Sequence, residues 1–179
     1  MLRKEIKIAY LGIGTNKGNR ETNISNTLKL LSEIKEIKIL KVSKLLKNPP
    51  QEGIRNGYFL NGAIKVLTSL TPLELLKVCK RIERKLGRER TSSQAGEPAN
   101  RRKKSSRVID LDILFYGNEV IHTKKLIVPH PMIEKRYFVL IPLMEIGEKF
   151  VHPVLKKNIC ELCSDYFAPT SIKNCARAV

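Results

Sequence analysis

Apolar residues occur along the chain in short blocks whose spacing alternates between that of strands and that of helices. Residues 6–12 (IKIAYLG) are mainly apolar and lead into a glycine-rich turn, which predicts a strand. Between 20 and 34 the apolar positions lie three or four residues apart, which predicts a helix. Residues 37–47 alternate as in a strand, and Asn48-Pro-Pro ends it because prolines cannot continue a central ladder.

The following blocks repeat this strand–helix–strand order. Residues 59–67 (FLNGAIKVL) predict a strand, and Thr71-Pro-Leu-Glu provides an N-cap, a proline at the first helical position and a capping box. The helix that begins there ends at Gly87, and residues 108–115 return to a strand. The order β-α-β-β-α-β predicts a ferredoxin-like α+β sandwich with a mainly antiparallel sheet and both helices on one face. The remaining residues predict an additional C-terminal hairpin and further helices.

The length predicts a single domain over residues 1–179. Residues 91–106 are predicted to form a long, polar and basic loop, and residues 165–179 are predicted to be a loose tail. No apolar run approaches the ~18 residues of a transmembrane helix. Residues 1–7 lack the apolar core of a signal peptide, so we expect a cytoplasmic protein.

The chain is strongly basic, with a formal net charge of +17. This charge indicates an attraction to polyanions such as nucleic acid, a membrane surface or nucleotide phosphates, or else a lysine-rich solvated surface, and composition does not choose among them. The four cysteines include the pair Cys160-x-x-Cys163. Without a second pair or a nearby histidine this is a weak zinc or redox signal, and we expect reduced thiols.

Asp110-Leu-Asp112 is the most informative tripeptide. Side chains at i and i+2 of a strand share one face about 7 Å apart, so the two carboxylates lie together while Leu111 and Ile113 face the core. Adjacent carboxylates repel each other unless a hard cation lies between them, and Mg²⁺ is held in this way together with substrate phosphates. The alternative is an exposed face with two unrelated acids. The surrounding Ile and Leu residues predict a central strand and favour the metal site.

Basic residues flank this strand. Arg88 and Arg90 follow the second helix, and Arg107 lies three residues before Asp110. Guanidinium groups bind phosphate oxygens bidentately, so acids and arginines at the end of a strand indicate Mg-nucleotide phosphoryl transfer. A phosphate loop and a complete dinucleotide fingerprint are both missing, so such a site must be built from side chains across the sheet. His130, between two prolines, is a metal ligand, a proton shuttle or a structural group.

Several motifs stand in a fixed order. The strongest are RVIDLDILFYG from Arg107, VPHP from Val128 and RYFVLIPL from Arg136, and the weaker blocks LGIGTN, NPP, FLN and RIERKLGR precede them. Together they resemble the 6-hydroxymethyl-7,8-dihydropterin pyrophosphokinases of folate biosynthesis over residues 6–150. The resemblance implies transfer of a pyrophosphoryl group from ATP to the hydroxymethyl oxygen of the pterin, with release of AMP.

The resemblance also implies a role for individual residues. The implied metal ligands are Asp110 and Asp112, which would hold two Mg²⁺ ions that bridge the triphosphate, and Arg88 and Arg107 complete the implied catalytic set. The implied ATP-binding residues are Glu83, Arg88, Arg107, Ile113, Lys125, His130 and Arg136. The implied pterin-binding residues are Asn48, Pro49, Pro50, Phe59, Asn61 and Phe138, with the two phenylalanines stacked on the ring. ATP and the pterin are the expected partners, and a membrane, nucleic acid or an obligate protein partner is not expected.

The chain departs from the family pattern at 91–106. Family members commonly have a shorter mobile lid there that contains Gly-Pro and aromatic residues, and the change puts lid closure and turnover rate in question. Two alternatives to the active enzyme remain. One is a ferredoxin-like nucleic-acid-binding module, although an RNP1-like run is absent and Asp110 and Asp112 have no role in it. The other is a catalytically impaired family member that acts as a scaffold.

Overall fold

The predicted strand and helix order is present in the structure. The computed structural model describes residues 5–49, 57–87 and 108–168. Its elements are β1 (Lys7–Thr15), α1 (Arg20–Ser32), β2 (Ile37–Val42), β3 (Leu46–Asn48), β4 (Phe59–Thr68), α2 (Pro72–Lys85), β5 (Asp110–Tyr116), β6 (Ile121–His122), β7 (Ile127–Val128), α3 (Tyr137–Gly147) and α4 (Ile159–Phe167). The single strand predicted over 37–47 is two strands, β2 and β3, and both pair with β4.

The main sheet is antiparallel and has two differently covered faces. Its order is β2-β4-β1-β5, and β3 pairs with β4 beyond the end of β2. The helices α1 and α2 pack on one face through buried side chains such as Leu31 and Leu75. The helices α3 and α4 form a second core on the other face, around Phe115 and Leu140. This arrangement confirms the predicted ferredoxin-like α+β fold with its C-terminal additions.

The prediction that the Asp110–Tyr116 strand is central is wrong. β5 is the last strand in the order, and among the described residues it pairs with β1 alone. It is nevertheless apolar because both of its faces are covered: Leu111 belongs to the core beneath α1 and α2, and Phe115 to the core beneath α3 and α4. The many apolar residues of β5 therefore indicate that both of its faces are buried. They do not indicate that the strand is central in the sheet.

The helix α2 is fixed at its start by the predicted capping box. Thr71 accepts a hydrogen bond from the Glu74 backbone N–H, and the Glu74 carboxylate accepts one from the Thr71 backbone N–H. The buried positions Leu75, Cys79, Ile82 and Glu83 form a stripe on one side of the helix. The stripe ends in a carboxylate where the helix meets β5. Burial raises the pKa of the Cys79 thiol to about 12, so this cysteine is an inert core group.

The C-terminal part of the chain covers the outer edge of β5. The β6–β7 hairpin leads into His130, whose backbone N–H donates to the Leu114 carbonyl at 3.0 Å. The helix α4 continues to Phe167, so the first residues of the segment predicted as a loose tail are helical. Residues 169–179 lie outside the described residues. Within the described ranges, no helix is long and apolar enough to span a membrane.

Candidate active site

Two glycines of β1 form the floor between polar residues of β4 and β5. Gly14 pairs with Asn61 on one side and with Asp110 on the other, and Gly12 pairs with Asp112. Directly paired residues of antiparallel strands place their side chains on the same face. Asn61 and the two aspartates therefore share the face opposite α1 and α2. At about 4.8 Å between strands, the backbones of Asn61 and Asp110 lie about 10 Å apart, and the residue between them, Gly14, has no side chain.

Asn61 is held against this floor. A Cβ atom on Gly14 would lie 2.6 Å from Asn61 Oδ1, so the close approach requires glycine. Asn61 Nδ2 donates to Asn48 Oδ1, and Asn48 Nδ2 donates to the Pro49 carbonyl at 2.9 Å. Three of the residues predicted to bind the pterin thus form one hydrogen-bonded group. Phe59 begins β4 beside them and is half-buried, whereas Pro50 lies outside the described residues.

Gly14→Ala is expected to raise the KM for the predicted pterin substrate about tenfold, the effect of losing one or two neutral hydrogen bonds. The added methyl group displaces the Asn61 amide and breaks its contact with Asn48. Steady-state kinetics at saturating ATP measures the change, and kcat is expected to change less than KM. Gly12→Ala is the matched control, because its Cβ meets the Leu114 side chain at 3.3 Å instead of Asn61. Equal KM values for both variants would contradict the role of the Asn61 amide.

The start of β5 is anchored by side chains of β1 and α1. Thr15 Oγ1 donates to the Val108 carbonyl at 2.6 Å, and Asn23 Nδ2 donates to the same carbonyl at 3.1 Å. Asp110 follows two residues later, and both it and Asp112 are half-buried. The two hydrogen bonds therefore fix the backbone from which the carboxylates project. Neither Thr15 nor Asn23 was among the residues predicted from sequence, because the contact joins parts of the chain that are distant in sequence.

Residues of α2 contact the edge of β5 that does not pair with β1. The Glu83 carboxylate is fully buried, and its Oε1 accepts a hydrogen bond from the Leu111 backbone N–H at 2.9 Å. Lys80 Nζ lies 2.9 Å from the same oxygen and 3.7 Å from Asp112 Oδ1. The structure thus connects Glu83 to the aspartate strand, and its binding of ATP stays a prediction. Sequence analysis missed Lys80, although its spacing of three residues from Glu83 places both on one side of the helix.

His130 and Arg136 lie close to the aspartates on the C-terminal side. The pKa of His130 is lowered, mainly by burial and further by the charge of Arg136, while the charges of Asp112 and Asp110 oppose the shift. Its Nδ1 accepts from the Met132 backbone N–H at 3.2 Å, which leaves Nε2–H as a donor in the neutral form. Arg136 Nε is buried and has no hydrogen-bond partner among the described residues. A neutral donor and an unsatisfied guanidinium N–H suit an anionic ligand.

Phe138 lies in the first turn of α3, two residues after the N-cap residue Arg136. The Arg136 guanidinium lies 5.8 Å from the centre of the Phe138 ring, within the range of a cation–π contact. The ring is half-buried, and α3 packs on β4, the strand that carries Phe59. Among the described aromatic residues, Phe59 and Phe138 make no ring contact with each other. Their stacking on a pterin stays a prediction.

The imidazoles of His130 and His152 are expected to titrate below 6.5, because burial lowers both pKa values. The folded protein then binds fewer protons than the unfolded chain as the pH falls through 6.5. The free energy of unfolding is therefore fully maintained above that pH and declines below it. Imidazole NMR signals measure the midpoints, with His130→Gln and His152→Gln as assignment controls. Midpoints at or above 6.5 would show that burial does not dominate.

Other predicted residues are placed elsewhere or lie outside the described ranges. Ile113 is buried in the core beneath α1 and α2, on the side away from Asp112. Lys125 is exposed between β6 and β7. Their predicted binding of ATP stays a prediction. The predicted phosphate-binding and catalytic arginines, Arg88 and Arg107, and the loop at 91–106 lie outside the described residues.

The carboxylate pair fits a hard divalent cation. Within the described residues, no group of three or more His, Cys, Asp or Glu side chains is arranged to hold a metal ion. Asp110 and Asp112 instead provide oxygen ligands from one face of one strand, beside the donors of His130 and Arg136. Mg²⁺ is commonly held by one or two carboxylates and substrate phosphates, so this donor set suits it.

Comparison with known proteins places this chain in a family. Residues 10–148 match the family model of 7,8-dihydro-6-hydroxymethylpterin-pyrophosphokinase (HPPK). The chain is 40% identical over 153 residues to the 2-amino-4-hydroxy-6-hydroxymethyldihydropteridine pyrophosphokinase of Aquifex aeolicus, which covers 85% of this chain and 88% of the relative. It is also 40% identical over 142 residues to the Bacillus subtilis protein of the same name, with 79% of each chain covered.

Solved structures show the same fold. Wild-type HPPK-DHPS of Plasmodium falciparum with SDX-DHP superposes with a TM-score of 0.73 at 18% sequence identity. The superposition covers 97% of this chain and 46% of that one, so this chain spans about half the length of the neighbour. The solved structure shows the fold alone. The family is shown by the match over residues 10–148 and by the two relatives of similar length. The chain belongs to the 7,8-dihydro-6-hydroxymethylpterin-pyrophosphokinase family.

Proposed function

We propose that this chain transfers pyrophosphate from ATP to the hydroxymethyl group of 6-hydroxymethyl-7,8-dihydropterin in folate biosynthesis, giving the pterin diphosphate and AMP. Membership of the pyrophosphokinase family supports the reaction. One observation connects the reaction to this chain: Asn61, Gly14 and Asp110 stand in one row across the sheet. On one side of Gly14, the Asn61 amide would bind a heterocycle. On the other side, the Asp110 carboxylate would bind a metal ion that carries the phosphates.

The pterin would lie on the β4 side of this floor. A flat heterocycle gains affinity from aromatic faces and specificity from fixed hydrogen-bonding groups. Asn61 is fixed by Asn48 and by the close approach to Gly14, so its amide is already oriented before a ligand binds. Phe59 and Phe138 supply the aromatic faces in this proposal. The hydroxymethyl group then points towards the β5 side, where the carboxylates lie.

The triphosphate would lie on the β5 side. Asp110 and Asp112 would hold two Mg²⁺ ions, which when bound neutralise phosphate charge and orient the β-phosphorus for in-line attack. Arg136 Nε and the Nε2–H of neutral His130 would donate to phosphate oxygens, and Arg88 and Arg107 would add further guanidinium donors. The hydroxymethyl oxygen attacks the β-phosphorus and loses its proton to solvent, the bond between the β-phosphorus and the α–β bridging oxygen breaks, and AMP leaves with that oxygen. Positioning and electrostatic stabilisation supply most of the acceleration in such a transfer.

The remaining expectations are part of the same proposal. A single domain over residues 1–179, a cytoplasmic location, and the absence of membrane, nucleic-acid and obligate protein partners stay predictions. DHPS is not among the predicted partners. The solved neighbours carry the combined name HPPK-DHPS. The nucleic-acid-binding alternative is not favoured, because residues 10–148 match the pyrophosphokinase family. A catalytically impaired scaffold would bind both ligands without releasing AMP.

The deciding experiment measures nucleotide products from MgATP with and without 6-hydroxymethyl-7,8-dihydropterin. The proposal expects AMP and the pterin diphosphate in equal amounts, and little AMP when the pterin is omitted. ADP in place of AMP would contradict the transfer of a pyrophosphoryl group. Binding of both ligands without AMP would instead favour the scaffold. Chromatography of the nucleotides together with mass spectrometry of the pterin distinguishes these results.

A further inference from the structure

The ammonium group of Lys80 lies between two carboxylates at the edge of the sheet. Its Nζ is 2.9 Å from Glu83 Oε1 and 3.7 Å from Asp112 Oδ1. The Glu83 side chain is fully buried and is also bound to the Leu111 backbone N–H, so this partner is fixed. Lys80 and Asp112 are similarly exposed, at 38% and 39% of the side chain. Lys80 therefore has a fixed, buried inner partner and a partly exposed outer partner.

This outer partner is one of the carboxylates assigned to the metal. A cation within 4 Å of Asp112 Oδ1 attracts the oxygen that the metal needs, and it also repels a divalent ion placed beside that oxygen. Lysine carries a point charge on a flexible stem, so the ammonium can change its outer partner while it keeps Glu83. Nucleotide phosphates on the β5 side would offer such a new partner. The charge of Lys80 thus opposes binding of the metal alone and favours binding of metal and nucleotide together.

We propose that Lys80 is a positioning residue that holds Asp112 in the metal-free protein and couples metal binding to nucleotide binding. This inference rests on the proposed function, which assigns Asp110 and Asp112 to the metal. In the metal-free protein the ammonium holds the Asp112 carboxylate near the β5 edge and weakens the affinity for a divalent ion. When nucleotide and metal bind together, the ammonium exchanges Asp112 for a phosphate oxygen. The site then takes up the metal chiefly when the triphosphate is present.

The test titrates the protein with Mn²⁺ and follows free Mn²⁺ by electron paramagnetic resonance. The titration is repeated with an ATP analogue whose α–β bridge is a methylene group, which cannot be cleaved. Lys80→Gln is expected to bind Mn²⁺ alone about three- to tenfold more tightly, because one nearby positive charge is removed. The ratio of the Kd values without and with the analogue is expected to fall by a similar factor.

Lys77→Gln is the matched control. Lys77 is exposed on the same helix and its substitution removes the same charge, so its affinity for Mn²⁺ should stay within about twofold of the wild-type value. Lys80→Arg keeps the charge and is expected to retain the wild-type ratio within about twofold. Circular dichroism verifies that each variant is folded. The affinity for Mn²⁺ without nucleotide is a reading that loss of packing alone would not strengthen.

Each result has a separate meaning. Unchanged or weaker Mn²⁺ binding by Lys80→Gln overturns the proposal, and so does equal tightening by Lys77→Gln, since it would show only a long-range effect of charge. Asp112→Asn in the same titration distinguishes failure of the proposed function. If this variant loses Mn²⁺ binding while Lys80→Gln resembles the wild type, only the role of Lys80 fails. If Asp112→Asn binds Mn²⁺ normally, the assignment of the metal site itself fails.

Discussion

Asp112→Asn is expected to lower the rate of pterin-dependent AMP formation at least about a thousandfold, because a bound metal supplies several kcal/mol of transition-state stabilisation. The amide keeps the size of the side chain but removes the charge and one of the oxygen ligands. Asp110→Asn is expected to act similarly, since both carboxylates share the face above Gly12 and Gly14. Single-turnover measurements at saturating ATP and pterin separate this loss from a change in affinity.

Both variants are expected to fold. Asp110 and Asp112 are half-buried, and the contact of Asp112 with Lys80 is partly exposed, so its loss costs less than about 1 kcal/mol. Asp165→Asn serves as the control, because Asp165 lies on α4 in an exposed ion pair with Lys157. Its rate should match that of the wild type. If both Asp110→Asn and Asp112→Asn react at the wild-type rate, the two aspartates are not the metal ligands.

Glu83→Leu is expected to lower the free energy of unfolding by about 3 kcal/mol, the combined cost of an unpaired buried N–H group and a lost charged partner. The Leu111 backbone N–H lies at the outer edge of β5 and loses its acceptor. Turnover is expected to fall as well, because Leu111 stands between the two aspartates. Urea denaturation followed by circular dichroism measures the change in stability.

Glu83→Gln separates hydrogen bonding from charge. The amide oxygen can still accept from Leu111, so this variant is expected to lose less than half as much stability as Glu83→Leu. Equal losses would show that the carboxylate acts through its charge towards Lys80 and not through the backbone of β5. Stability of Glu83→Leu equal to that of the wild type would show that the buried hydrogen bond does not hold the strand.

The capping box, the helix periodicity and the carboxylate spacing were predictable because each depends on neighbours in sequence. Thr71 and Glu74 are three residues apart, and Asp110 and Asp112 are two apart on a strand, so local geometry alone relates them. The motif resemblance added the named roles, which composition and spacing had left open. The structure brings together Asp110, Asp112, His130 and Arg136 from that set, and it also contains Asn48 and Asn61 as one bonded pair.

The sequence by itself determined the order of elements and the family to which the chain is similar. It also determined that Asp110 and Asp112 share one face of β5. Only the tertiary structure decided that β5 lies at the edge of the sheet, which leaves the Leu111 N–H free to bind Glu83. It also decided that Lys80 reaches Asp112. The physical reason is that strand order and register depend on contacts between distant parts of the chain. Local patterns record which side chains are buried, but not which partners bury them.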